Sequence, residues 1–128
     1  MKALSVARVS LVFFSLLILA GSSVPGESIP EVFELTPDKL IHCVEYFVLG
    51  SAIIYWLSLE FAIKKTYKLI FITILIGSVF GILDENYQRF TPGRTPDVWD
   101  WVLDSIGIVS AAIIGSYLIK RQTNKKTL

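Results

Sequence analysis

The sequence predicts an all-α membrane protein, a bundle of four transmembrane helices with both termini in the cytoplasm. Three observations predict it. Hydrophobic residues make up 53% of the chain and the mean hydropathy is +0.61, well above an ordinary soluble domain. The apolar residues gather in four stretches, about 9–24, 40–63, 69–90 and 98–119, each near the ~20 residues that a helix needs to cross a bilayer. The charges gather between those stretches, basic in some gaps and acidic in others. Backbone polar groups find no water in hydrocarbon, so a spanning segment of this kind must be helical. The whole chain, 1–128, is read as one membrane domain, with 120–128 as a basic cytoplasmic tail.

The first stretch follows Lys2 and Arg8 and runs into "AGSSVPG". That pattern is similar to a secretory signal peptide, and "LILAGS" to a lipoprotein signal, with Ser22 where the lipidated cysteine would stand. The run is long enough to span, so a retained helix is expected. "PGESIP" and Pro37 separate it from the second stretch, "KKTYK" divides the second from the third, and "TPGRTP" divides the third from the fourth. Thr36-Pro37 and Thr95-Pro96 are helix starts, with threonine as N-cap and proline at the first helical position.

Basic residues set the orientation. Lys2, Arg8, Lys64, Lys65, Lys68, Lys120, Arg121, Lys125 and Lys126 share one side of a four-span model, and Lys39, Arg89 and Arg94 lie on the other. The first side is therefore cytoplasmic. Glu27, Glu31, Glu34, Asp38, Glu45, Asp84, Glu85, Asp97, Asp100 and Asp104 fall on the outer side. The near balance of 12 basic and 11 acidic residues, with no basic patch among aromatics, excludes nucleic acid as a partner. The one cysteine, Cys43, excludes a disulfide framework and a cysteine-rich metal motif; it is read as a packed small residue.

This topology brings three distant segments to one depth. Helix two enters with Lys39, His42, Glu45 and Tyr46, helix three ends in Asp84, Glu85 and Gln88, and helix four re-enters with Asp97, Asp100 and Asp104. Spacings of three and four put each set on one helix face. Asp104 lies 16 residues before Lys120, roughly 24 Å along a helix. A core of about 30 Å therefore encloses it. Carboxylates at that depth cost several kcal/mol unless paired, protonated or hydrated, and the expected partners are Arg94, Arg89, His42 and Lys39. Gly77 and Gly81, with Gly107, Ala111 and Gly115, let helices approach closely, within the chain or between copies in an oligomer. Trp99, Trp101 and Tyr87 are expected in the outer aromatic belt, and Tyr67 and Tyr117 in the inner one.

"DKLIHCVEYFVLG" together with "GILDENYQRFTPGRTPDVWDWVLDSIG" resembles the VanZ-like family of small bacterial membrane proteins. The resemblance covers about half the chain: a DK-x-x-H start, a YF-x-LG continuation, a DE-x-x-Q helix end, a PGR turn, an acidic residue six after the arginine, and a later glycine. It implies Asp38, Lys39, His42, Asp84, Glu85, Gln88, Arg94, Asp100 and Gly107 as the family-typical polar and glycine positions. Cys43 stands where an aromatic is usual, and Asp104 where asparagine is common. The family is named for a protein associated with resistance to the glycopeptide teicoplanin.

The site is thus expected at Lys39, His42, Glu45, Asp84, Glu85, Gln88, Arg94, Asp100 and Asp104. It would sit in a multi-pass protein of a bacterial inner or plasma membrane, with membrane lipids and a lipid-linked or cell-wall precursor as partners. No cofactor and no metal site are assigned. One alternative is a membrane-embedded hydrolase or transferase on a lipid-linked substrate. It would use His42 as base or nucleophile and Glu85 and Asp100 as acid, base or metal ligands. Another is proton-coupled transport, for which four short helices offer little room. The plainest alternative is a salt-bridged network that only fixes helix packing, and buried ion pairs stabilise poorly.

Overall fold

The structure, a computed structural model, describes residues 2–28, 36–63 and 65–126, and of 36–38 and 126 the backbone alone. Four helices run α1 Lys2–Ser22, α2 Thr36–Glu60, α3 Thr66–Gln88 and α4 Val98–Lys126, with a short 3-10 turn at Gly26–Ser28 and no strand among the described residues. All four are long and apolar enough to cross a membrane. Glu31, Glu34 and Lys64, and the expected Thr36 cap and Asp38 side chains, lie outside what is described.

The helix order follows from the contacts. Arg8 near the start of α1 bonds Glu60 at the end of α2, while Ser22 and Ser23 at the end of α1 meet Thr91 and Tyr87 beyond and within the end of α3. Gly107, Ala111 and Gly115 of α4 lie against Cys43, Gly50 and Ile54 of α2 in the same order, so α2 and α4 run parallel. Neighbours in sequence are antiparallel, the up-down-up-down arrangement of short-looped bundles. One end collects Lys2, Lys65, Lys68, Lys120, Arg121 and Lys125; the other collects Asp84, Glu85, Asp97, Asp100 and Asp104 with Lys39, Arg89 and Arg94.

α2 is the central helix, packed most extensively on α4 and touching α1 and α3 as well. Its Tyr46, Leu49, Ile53 and Leu57 recur every three or four residues and form the core with Ile108 of α4, Leu69 of α3 and Ile18 of α1. The outward faces are apolar too: Val9, Phe13 and Leu16 on α1, Phe71 and Leu75 on α3, and Ile113 and Ile114 on α4 are all exposed. An apolar belt on every side is what lipid, and not water, would solvate.

Several helix ends depart from the apolar stretches or from the expected helix starts. α1 starts at Lys2 and stops at Ser22, and α4 continues to Lys126 through the expected tail, because lysine, arginine and glutamine are good helix formers whether or not lipid surrounds them. α2 ends at Glu60, short of Ile63, where Ala62 takes a left-handed conformation (φ 47°). α4 begins at Val98 and not at Pro96. Asp97 caps it: its Oδ1 accepts the Trp99 N–H at 2.9 Å, and it displaces the expected Thr95.

The four glycines offered for contacts between copies all face the same chain. A side chain at Gly77 would meet Ile108, at Gly81 Trp101 and Tyr46, at Gly107 the α2 backbone, and at Gly115 Ile54.

Candidate functional site

The acidic end holds the polar interior of the bundle. His42 and Tyr46 on α2, Asp84 and Glu85 on α3, and Asp100 and Asp104 on α4 are buried there. His42 Nδ1 lies 3.1 Å from Asp104 Oδ1. The Tyr46 hydroxyl donates to Asp84 Oδ2 at 3.2 Å, and the Asp97 N–H donates to Glu85 Oε2 at 3.2 Å. Gly81 completes the wall, since a Cβ there would lie 3.4 Å from the Tyr46 ring and 3.5 Å from Asp104 Oδ2.

Three carboxylate oxygens in this interior, Asp84 Oδ1, Glu85 Oε1 and Asp104 Oδ2, are buried and hydrogen-bond to no group of the protein, as is the Ser105 hydroxyl. No lysine or arginine among the described residues forms an ion pair with Asp84, Glu85 or Asp104. Such oxygens forgo hydration without a return, at a cost of kcal/mol each. The arrangement can accept hydrogen bonds from a ligand, hold protons or ligate a cation. His42, Glu85 and Asp104 each offer one ligand atom, all within 4.8 Å of one another.

A rim lies outside this interior. Lys39 Nζ sits 3.3 Å from Asp97 Oδ2 and 3.8 Å from Asp100 Oδ1. The Trp99 N–H and, secondarily, Lys39 hold the Asp97 carboxyl below the usual carboxylate range. Glu45 is half-buried on α2.

Two expected site residues point elsewhere. Arg94 donates to the Val24 and Gly21 carbonyls, both at 3.3 Å, so it caps the end of α1 and does not meet the carboxylates. Helix C-termini present unpaired carbonyls and a negative dipole end that attract a guanidinium. Gln88, fully buried, approaches Ser22 Oγ at 3.5 Å, and Thr91 donates to the Ser22 carbonyl at 3.0 Å. The PGR turn is thereby a clamp on α1: Gly93 takes a left-handed φ of 72°, and its carbonyl abuts Gly26, where no Cβ fits. Arg89, the other arginine among the expected partners, is exposed. Arg94→Ala is expected to cost on the order of 1 kcal/mol and to speed proteolysis of the segment after α1, read by limited digestion in detergent, while the His42–Asp104 contact persists.

Of the expected belt residues, Trp99, Tyr87, Tyr67 and Tyr117 are exposed. Trp101 instead turns inward, and its Nε1–H donates to the Ser78 carbonyl of α3 at 3.3 Å. At the basic end, Arg8 and Trp56 both donate to Glu60, a contact that the charge count overlooked; a lone acid inside a basic end was its signal.

Neither the curated proteins nor the solved structures contain a significant match to the chain. The family model described as VanZ/LLP1 matches residues 4–120, which takes in all of α1 to α3 but two residues and α4 as far as Lys120. With this match across a four-helix chain whose DK-x-x-H and PGR segments build the acidic end, the protein belongs to the VanZ/LLP1 family.

Proposed function

We propose that this VanZ-type membrane protein binds the anionic head group of a lipid-linked envelope precursor at the outer leaflet of the bacterial cell membrane, and so alters susceptibility to glycopeptides such as teicoplanin. One observation carries the reading: His42, Asp84, Glu85 and Asp104 are buried together where α2 and α4 begin, with carboxylate oxygens that no protein group satisfies. Two helix N-termini at that end contribute positive dipole ends, which favour phosphate. Lys39 stands half-exposed beside them. The positive-inside rule supports an outward-facing acidic end, because the lysine-rich end is opposite.

The test has three parts. In a Cys43→Ser background, Glu27→Cys is expected to react with a membrane-impermeant maleimide in intact cells, and Gln122→Cys only after permeabilisation; the reverse pattern contradicts the orientation. Native mass spectrometry of the protein extracted with its own lipids is expected to show a phosphate-bearing lipid retained through delipidation. Cells lacking the protein are expected to change in teicoplanin susceptibility.

The His42–Asp104 contact favours a second reading, a hydrolase or transferase acting on the same lipid, since a buried carboxylate orients an imidazole for proton transfer. Product formed from a lipid-linked substrate by pure protein, and lost in His42→Ala, would select it.

A further inference from the structure

The acidic end poses a problem of sign: an anionic head group has to approach Asp84, Glu85 and Asp104, none of which is neutralised by a lysine or arginine among the described residues. We infer that His42, Glu85 and Asp104 form a binding site for one divalent transition-metal ion, of the zinc or manganese type. The site stands on its own donors and rests on the head-group reading only for the identity of its external ligand.

Two independent observations carry it. The first is position: three side chains from three different helices, all buried, bring a ligand atom each to within 4.8 Å of one another. Tetrahedral donors at about 2.0–2.2 Å from zinc stand roughly 3.3–3.6 Å apart, so side-chain movements of about an ångström close the set. The second is valence: Glu85 Oε1 and Asp104 Oδ2 are buried oxygens that hydrogen-bond to nothing in the protein. Glu85 is 8% exposed and Asp104 1%.

The donor set selects the class of ion. One imidazole with two carboxylates suits zinc, manganese or iron, whereas calcium and magnesium prefer oxygen alone. One dication also offsets the charges of Glu85 and Asp104 with a neutral His42, and leaves Asp84 as the remaining carboxylate. Tyr46 holds Asp84 from behind through its hydroxyl, which leaves Asp84 as an acceptor beside the ion. Three protein ligands leave at least one position for an outside oxygen, and a phosphate oxygen is the donor that a lipid head group would bring. The ion thus offsets two of the three carboxylates and gives an anion's oxygen an open position to bind.

The experiment uses full-length protein in detergent, stripped of metal with EDTA and freed of lipid. Zinc or manganese chloride is added, and bound metal is counted by mass spectrometry after desalting. One ion per chain is expected, with affinity falling at least about tenfold in Glu85→Gln and in Asp104→Asn. Cobalt substitution of the wild type, which needs no variant to fold, is expected to give the visible absorption of a mixed nitrogen and oxygen site. The absence of stoichiometric metal in the wild type, or equal affinity in both variants, overturns the inference, as does tighter binding of calcium or magnesium than of zinc and manganese. Lipid retention measured before and after EDTA separates the two proposals. Retained lipid with no bound ion overturns the ion and leaves head-group binding standing. A bound ion with no retained lipid supports the ion site and overturns head-group binding.

Discussion

Gly107→Val is expected to unmake the α2–α4 contact, with a loss of about 3 kcal/mol in a detergent or SDS unfolding titration. A Cβ at this position would strike the Cys43 carbonyl oxygen and crowd the Phe47 backbone nitrogen. Both are backbone atoms of α2, so no rotamer change relieves the collision and the helices must separate. This is the largest interface in the bundle, and small residues at helix crossings are how membrane bundles obtain dispersion contact in the absence of a hydrophobic driving force. The effect reaches the site, because His42 precedes Cys43 and Asp104 lies one turn before Gly107. Gly107→Ala should show a smaller loss of the same kind. Gly21→Ala, where nothing lies within 4 Å of the new carbon, is the control and is expected to leave the midpoint unchanged. Equal effects at Gly107 and Gly21 would contradict the packing.

The second large effect has the opposite sign. The double variant Glu85→Gln, Asp104→Asn is expected to be more stable than the metal-free wild type by about 1–3 kcal/mol, measured by the same titration in EDTA. Amides keep the shape and can still meet the Asp97 N–H and His42, but they remove two buried charges that pair with no lysine or arginine among the described residues. A network that existed to fix helix packing would instead weaken when its carboxylates were replaced. The sign of the change therefore separates a ligand site from a structural one. Such a site keeps a destabilising arrangement because something outside the chain completes it.

Much of this was legible in the sequence, for physical reasons. The four helices follow from run length and hydropathy, and the grouping of His42, Asp84, Glu85, Asp100 and Asp104 follows from helical spacing plus an up-down topology. Destinations that depend on a partner's backbone were not legible. Arg94 was assigned to the carboxylates, its nearest charge complement in sequence, but it bonds the Gly21 and Val24 carbonyls. Carbonyls at a helix end leave no mark in side-chain composition. The glycines showed that close approach occurs and not against what: all four face their own chain. Hydropathy placed the end of α4 at Ile119, while the backbone carries the helix on to Lys126. Thr95-Pro96 had the composition of a helix start, yet Asp97, two residues later, caps α4 because Glu85 also draws its N–H.

The measurement that tests the central claim most directly is lipid retention by native mass spectrometry, wild type against Glu85→Gln, Asp104→Asn, both extracted from the same membranes. If the buried His42–Glu85–Asp104 interior is where an envelope head group is held, the wild type carries a phosphate-bearing lipid through delipidation. The equally folded double variant then emerges without it. The same lipid retained to the same extent by both proteins would contradict the account.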